Sequence, residues 1–120
     1  MYSNILIATD GSSTAQKAVR IGFDLAKAVG ARTTVLHVGD PEKGNAVLAK
    51  VNEEYSGDVR TITVPGDPDD KILEVAETEA VDLIVVGNKG MTGAKRFLLG
   101  SVPNQISHHA PCNVLIVKTT

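Results

Sequence analysis

The chain has 120 residues, 42% of them apolar and 22% charged, with a formal net charge of −2, which places it in the ~100–200 residue range of one globular domain and outside the disordered class. That charge offers no basic field for nucleic-acid phosphates, and two Tyr, two Phe and no Trp leave few stacking platforms for unpaired bases. One cysteine, Cys112, excludes an internal disulfide framework and any multi-cysteine zinc site.

No apolar run approaches the ~20 residues of a membrane span, and the start MYSNILIATDG lacks the basic and long apolar regions of a signal peptide. The expected location is the cytoplasm, away from membranes. In chain order, Asn4 to Thr9 reads as the first strand. Ser13 to Val29 then repeats Ala15, Ala18, Val19, Gly22, Leu25, Ala26 and Val29 at helical spacing, and Gly30 supplies a stop. Thr33 to Val38 is the second strand. Pro41 to Tyr55 carries Leu48, Val51 and Tyr55 at helical spacing but also Gly44, which weakens it as a helix.

Val59 to Val64 is the third strand, and Pro68 with Asp69 and Asp70 opens a helix whose apolar stripe is Ile72, Val75 and Ala76. Leu83 to Val86 is the fourth strand. A last helix runs from Ser101, placed as its N-cap, to about His109, ended by Ala110 and Pro111. Val114 to Val117 completes five strands. Four of these are aliphatic without much alternation, as in strands buried on both faces, so the fold class is α/β: a doubly wound parallel sheet with right-handed helical crossovers.

In such sheets ligands gather beyond the carboxyl ends of the strands, where the strand order reverses. Asp10 and Gly11 follow the first strand, Val38 to Asp40 the second, and the stretch VGNKGMTGAKRFLLGSV the fourth. Gly87 and Gly90 leave backbone N–H groups unobstructed for an anion, while Gly100 and Ser101 open a helix whose N-terminus attracts phosphate. Asp10 is a candidate acceptor for ribose hydroxyls. Each has a plain structural reading as well: the glycines as turn geometry, Asp10 as a turn residue beside a Ser12 or Ser13 cap, and Lys89, Lys95 and Arg96 as a solvated face.

The stretch is neither a P-loop nor a G-x-G-x-x-G fingerprint. His108 and His109 are adjacent and do not share a metal-binding helix face, His37 reads as a core histidine, and Cys112 as an inert thiol. No nucleophile stands with a base.

Gly87, Gly90, Gly100 and Ser101 together form the pattern G-2x-G-9x-G-S, and Gly93 lies outside it. With ILIATDGS, VLHV, DLIVVG and HAPCNVLIV around it, the chain resembles the universal stress protein family, in its ATP-binding branch, along nearly its whole length. The resemblance implies a Rossmann-like sheet of strand order 3-2-1-4-5, of the adenine nucleotide alpha hydrolase kind, in a single domain covering residues 1 to 120.

It also implies an adenine-nucleotide site. Asp10 would hold the ribose, Val38 would meet adenine through its backbone with Ala8 and Thr9 nearby, and Gly87, Gly90, Gly100, Ser101 and Val102 would hold the phosphates. The implied ligand is ATP, with Mg²⁺ or Mn²⁺ as a possible companion of the phosphates. The implied assembly is a homodimer through the last strand, Val114 to Lys118, and the implied role a regulatory or protective one under stress. Two alternatives differ in class: a slow metal-assisted ATP hydrolase or phosphotransferase, and a dimerisation scaffold whose site is vacant or takes cyclic AMP. The segment from Asp40 to Gly57 is short for the family, and Pro103 replaces a hydroxyl donor frequent there.

Overall fold

The aliphatic runs form strands because their side chains are buried on both faces of one sheet. A computed structural model of the chain describes residues 1–88 and 101–119, excepting the side chain of Ser101. Its elements are β1 (Asn4–Ala8), α1 (Ser13–Val29), β2 (Arg32–Val38), α2 (Pro41–Glu54), β3 (Val59–Val64), α3 (Pro68–Thr78), β4 (Leu83–Gly87), α4 (Ser101–His109) and β5 (Asn113–Val117). All five strands are parallel, in the order β3-β2-β1-β4-β5.

Successive side chains of a strand point to opposite faces, and the two cores follow that rule. Ile5, Ile7, Val35, Leu83 and Val85 meet Ala18, Val19 and Ala26 of α1 and Leu48 and Val51 of α2. Leu6, Ala8, Leu36, Ile84 and Val86 meet Ile72, Val75 and Ala76 of α3 and Val102 and Ile106 of α4. This is the doubly wound arrangement that the sequence predicts.

Local signals explain the helix ends. Ser12 Oγ accepts from Ala15 N at 3.2 Å to cap α1, and Gly30 ends it at φ 72°, a left-handed conformation that glycine adopts without Cβ strain. Asp40 caps α2, its Oδ2 accepting from Lys43 N at 3.0 Å, with Pro41 in the first turn.

Several expectations shift. β1 ends at Ala8, so Thr9 lies beyond it, and β5 begins one residue early at Asn113. Among the described residues α4 begins with Ser101 in helical conformation, and the residues just before it lie outside those described. The segment expected to be a weak helix is a complete one of 14 residues. Its glycine has a tertiary cause: a Cβ on Gly44 would collide with Thr63 Oγ1 and stand 2.7 Å from His37 Nδ1. A side chain there would hold α2 off the sheet.

At the amino ends of the strands, Asp82 fastens the chain start to β4. Its carboxylate accepts from Ser3 N at 2.8 Å, Ser3 Oγ at 3.0 Å and Asn4 N at 3.1 Å. Burial alone would raise its pKa, but these hydrogen bonds to the charged form outweigh it and hold the carboxyl below its ordinary value.

Candidate nucleotide crevice

The strand order makes β1 the switch point, with β2 on one side and β4 on the other. The chain leaves β1 for α1 on one face and leaves β4 for α4 on the other. Between those departures the carboxyl end of β1 lies open.

The β1–β2 ladder closes with Thr9 N donating to Leu36 O at 3.0 Å, and the β1–β4 pairing stops with Ile7 opposite Val85. β1 then turns away. Thr9 Oγ1 accepts from Gly11 N at 3.1 Å and Asp10 Oδ1 accepts from Ser12 N at 2.9 Å, with Gly11 at φ 82°. Asp10 therefore does the turn-forming work of the plain reading, at the foot of a gap in the sheet.

Both neighbours run past that gap, and successive residues of a strand turn their amide and carbonyl to opposite sides. Gly39 N donates to Val64 O on β3 at 2.8 Å, so Val38 directs its backbone N–H and C=O toward the space β1 has left. Asn88 N donates to Val117 O on β5 at 2.9 Å, so Gly87 faces the same space from the other flank. The gap is thus edged by main-chain polar groups on both sides and by Asp10 below. Those edges offer main-chain donors and acceptors that no strand pairs with there.

His37 lies beneath α2, 3% exposed, with Nδ1 3.3 Å from Thr63 Oγ1. Burial, and then the charge of Lys43, lower its pKa against the opposing pull of Asp10 and Asp40. The ring is a satisfied core histidine, as read from the sequence, and stays neutral at physiological pH. Cys112 is half-buried, and burial raises its thiol pKa. Among the described residues, no group of three or more His, Cys, Asp or Glu could hold a metal ion. No helix described is long and apolar enough to cross a membrane.

The structure brings Asp10, Val38 and Gly87 around one opening and puts Thr9, 2% exposed, at its inner edge. Ala8 and Val102, each 1% exposed, face the core on the α3–α4 side, so they can serve a ligand only through their backbone. Ser101 and Val102 form the first turn of α4, where amides lack intrahelical acceptors and Pro103 contributes none. Gly90 and Gly100, with Lys89, Lys95 and Arg96, lie outside the described residues. Sequence reasoning missed Asn88, whose side chain binds Thr119. Its position inside the glycine pattern was the available signal.

Comparison with known proteins agrees with this architecture. The model of the family described as "Universal stress protein family" matches residues 1–57 and 40–118. The chain is 33% identical to universal stress protein MJ0531 of Methanocaldococcus jannaschii, across 98% of this chain and 83% of that one. It is 32% identical to universal stress protein YxiE of Bacillus subtilis, across 98% of this chain and 100% of that one. Among solved structures, a universal stress protein in complex with cAMP superposes with a TM-score of 0.87 at 32% identity, covering 99% of this chain and 98% of the other.

Proposed function

The chain belongs to the universal stress protein family, and from that premise we propose that it is an ATP-binding module that acts as a regulatory or protective component of a stress response. The observation that carries the reading is the gap at the end of β1, edged by the backbones of Val38 and Gly87 and floored by Asp10. Adenine would pair with the Val38 main chain and ribose with the Asp10 carboxylate. The amides of Gly87, Gly90, Gly100, Ser101 and Val102 would hold the phosphates, helped by the positive end of the α4 dipole. With no protein-built cation cage among the described residues, Mg²⁺ or Mn²⁺ would enter with the phosphates.

One observation favours a second ligand. The solved relative at 32% identity carries cAMP, so cyclic AMP is the competitor that ATP must beat. The module is proposed as non-catalytic, and as a homodimer through β5, which is an edge strand with half-buried Val114, Leu115 and Ile116.

Calorimetric titration of the purified protein with ATP and with cyclic AMP tests the reading directly. Saturable ATP binding, tighter than cyclic AMP and weakened at least about tenfold in Asp10→Ala, is expected. Tighter cyclic AMP binding would transfer the site to that ligand. No binding of either nucleotide by a folded protein would remove the proposal. Phosphate release abolished by Asp10→Ala would instead make it a slow hydrolase.

A further inference from the structure

Helices α1 and α2 lie side by side on one face of the sheet, α1 over β1 and β4 and α2 over β2 and β3. They approach each other at two places. At the upper end Val47 reaches Gly11: a Cβ there would stand 2.5 Å from Val47 Cγ2. At the lower end Phe23 of α1 stacks on Tyr55, with ring centroids 3.9 Å apart and planes 6° from parallel. Between these contacts the helices part.

The parting leaves a cleft of about 380 Å³, within the ~300–1,000 Å³ range of small-molecule sites. From Val47 to Tyr55 it is ~12 Å long at 1.5 Å per helical residue. Val19 and Val51, 4% and 7% exposed, line its apolar interior. Lys17, Arg20 and Lys50 line it too, against the single acid Glu54. None of these three cations has a carboxylate within ion-pair distance among the described residues, where the pairs are Arg60–Glu79 and Lys71–Glu74.

We propose that this cleft, which meets the nucleotide crevice at Thr9 and Gly11 but extends away from it between α1 and α2 to Tyr55, is a second ligand site for a small organic anion with an apolar body. The apolar interior supplies the burial that such a body gains. The excess of cations supplies the attraction for its charged group. Positions 17, 20 and 50 are exposed, so their charges cost little desolvation until a ligand arrives.

The test is calorimetric titration of the full chain with anilinonaphthalene sulfonate and with its uncharged parent lacking the sulfonate. The expected result is one saturable site for the sulfonate, with the parent binding roughly tenfold more weakly. The double variant Arg20→Glu, Lys50→Glu should weaken the sulfonate by roughly tenfold or more, because each reversal replaces attraction with repulsion. Ala46→Trp, which fills the cleft from an exposed position, should abolish binding. Circular dichroism and thermal melting establish that both variants are folded. Equal binding by all three proteins, equal binding of the uncharged parent, or no saturable binding by the folded parent chain would each overturn the proposal. ATP titrated into the dye-saturated protein should leave the dye bound, because the two sites meet only at the Thr9 and Gly11 end of the cleft; displacement of the dye by ATP would merge the two sites and overturn the proposal.

Discussion

The side-chain oxygen of Asn88 accepts two hydrogen bonds from Thr119, one from its amide and one from its hydroxyl, each at 2.9 Å. Asn88 directly follows Gly87, where the glycine pattern begins, and Thr119 lies two residues past the end of β5. The clasp ties the end of the edge strand to the start of the stretch that carries the candidate phosphate ligands. Asn88→Ala should lower stability by about 1–2 kcal/mol through the lost bonds and the unpaired Thr119 amide. It should also weaken ATP binding several-fold, because the chain leaving Gly87 loses an anchor. Urea unfolding and calorimetry on the same variant measure both effects; Asn88→Asp, which keeps the acceptor, should retain most of the stability.

Gly44→Ala separates helix propensity from packing. In an exposed helix alanine would gain up to about 1 kcal/mol over glycine. Here the added Cβ meets Thr63 Oγ1 and His37, and overpacking of this kind costs about 1–3 kcal/mol. The variant should therefore be less stable in urea. Removing the obstruction in the pair Gly44→Ala, Thr63→Ala should recover part of the loss, a coupling that the double-mutant cycle reads directly.

Stability should depend on pH in two separate windows. The folded protein holds the His37 pKa below its ordinary 6.5, so between those two values the unfolded chain binds more protons. Stability is then full above the ordinary value, declines as pH falls below it, and levels off below the folded value. Asp82 is held below its ordinary 3.8, so its contribution is present above that value and is lost as pH falls through the folded one. Urea midpoints measured from about pH 7.5 to 5 should show the first slope. His37→Gln should flatten it, whereas Asp82→Asn should flatten only the acid limb.

The glycines after β4 should not be equivalent. Gly90 belongs to the G-2x-G-9x-G-S pattern and Gly93 does not. Gly90→Ala should weaken ATP binding more than Gly93→Ala in parallel calorimetric titrations. The reverse ranking would contradict the assignment of phosphate contacts.

The elements were legible wherever the signal was local. The stripe from Ala15 to Val29, the Ser12 cap and Gly30 specify α1 from its own residues, and the structure reproduces its span. Strand order came from family resemblance, because no local pattern says which strand lies beside which. Gly44 misled because the reason for it lies across the sheet, in Thr63 and His37. The gap edged by Val38 and Gly87 depends on how far β1 runs relative to β2 and β4, a matter of register that no single segment encodes. The α1–α2 cleft was not legible for the same reason: its closure joins Gly11 to Val47 and Phe23 to Tyr55, pairs far apart in the chain.

The Phe23–Tyr55 stack gives the molecule a built-in optical gauge. The chain has no tryptophan and only two tyrosines, Tyr2 and Tyr55, so Tyr2→Phe leaves one emitter, seated where the two helices meet. Any event that spreads or draws together α1 and α2 would change the solvent exposure of that ring, and with it the ring's absorbance and emission. The spacing of the two helices could then be followed in solution without attaching a label.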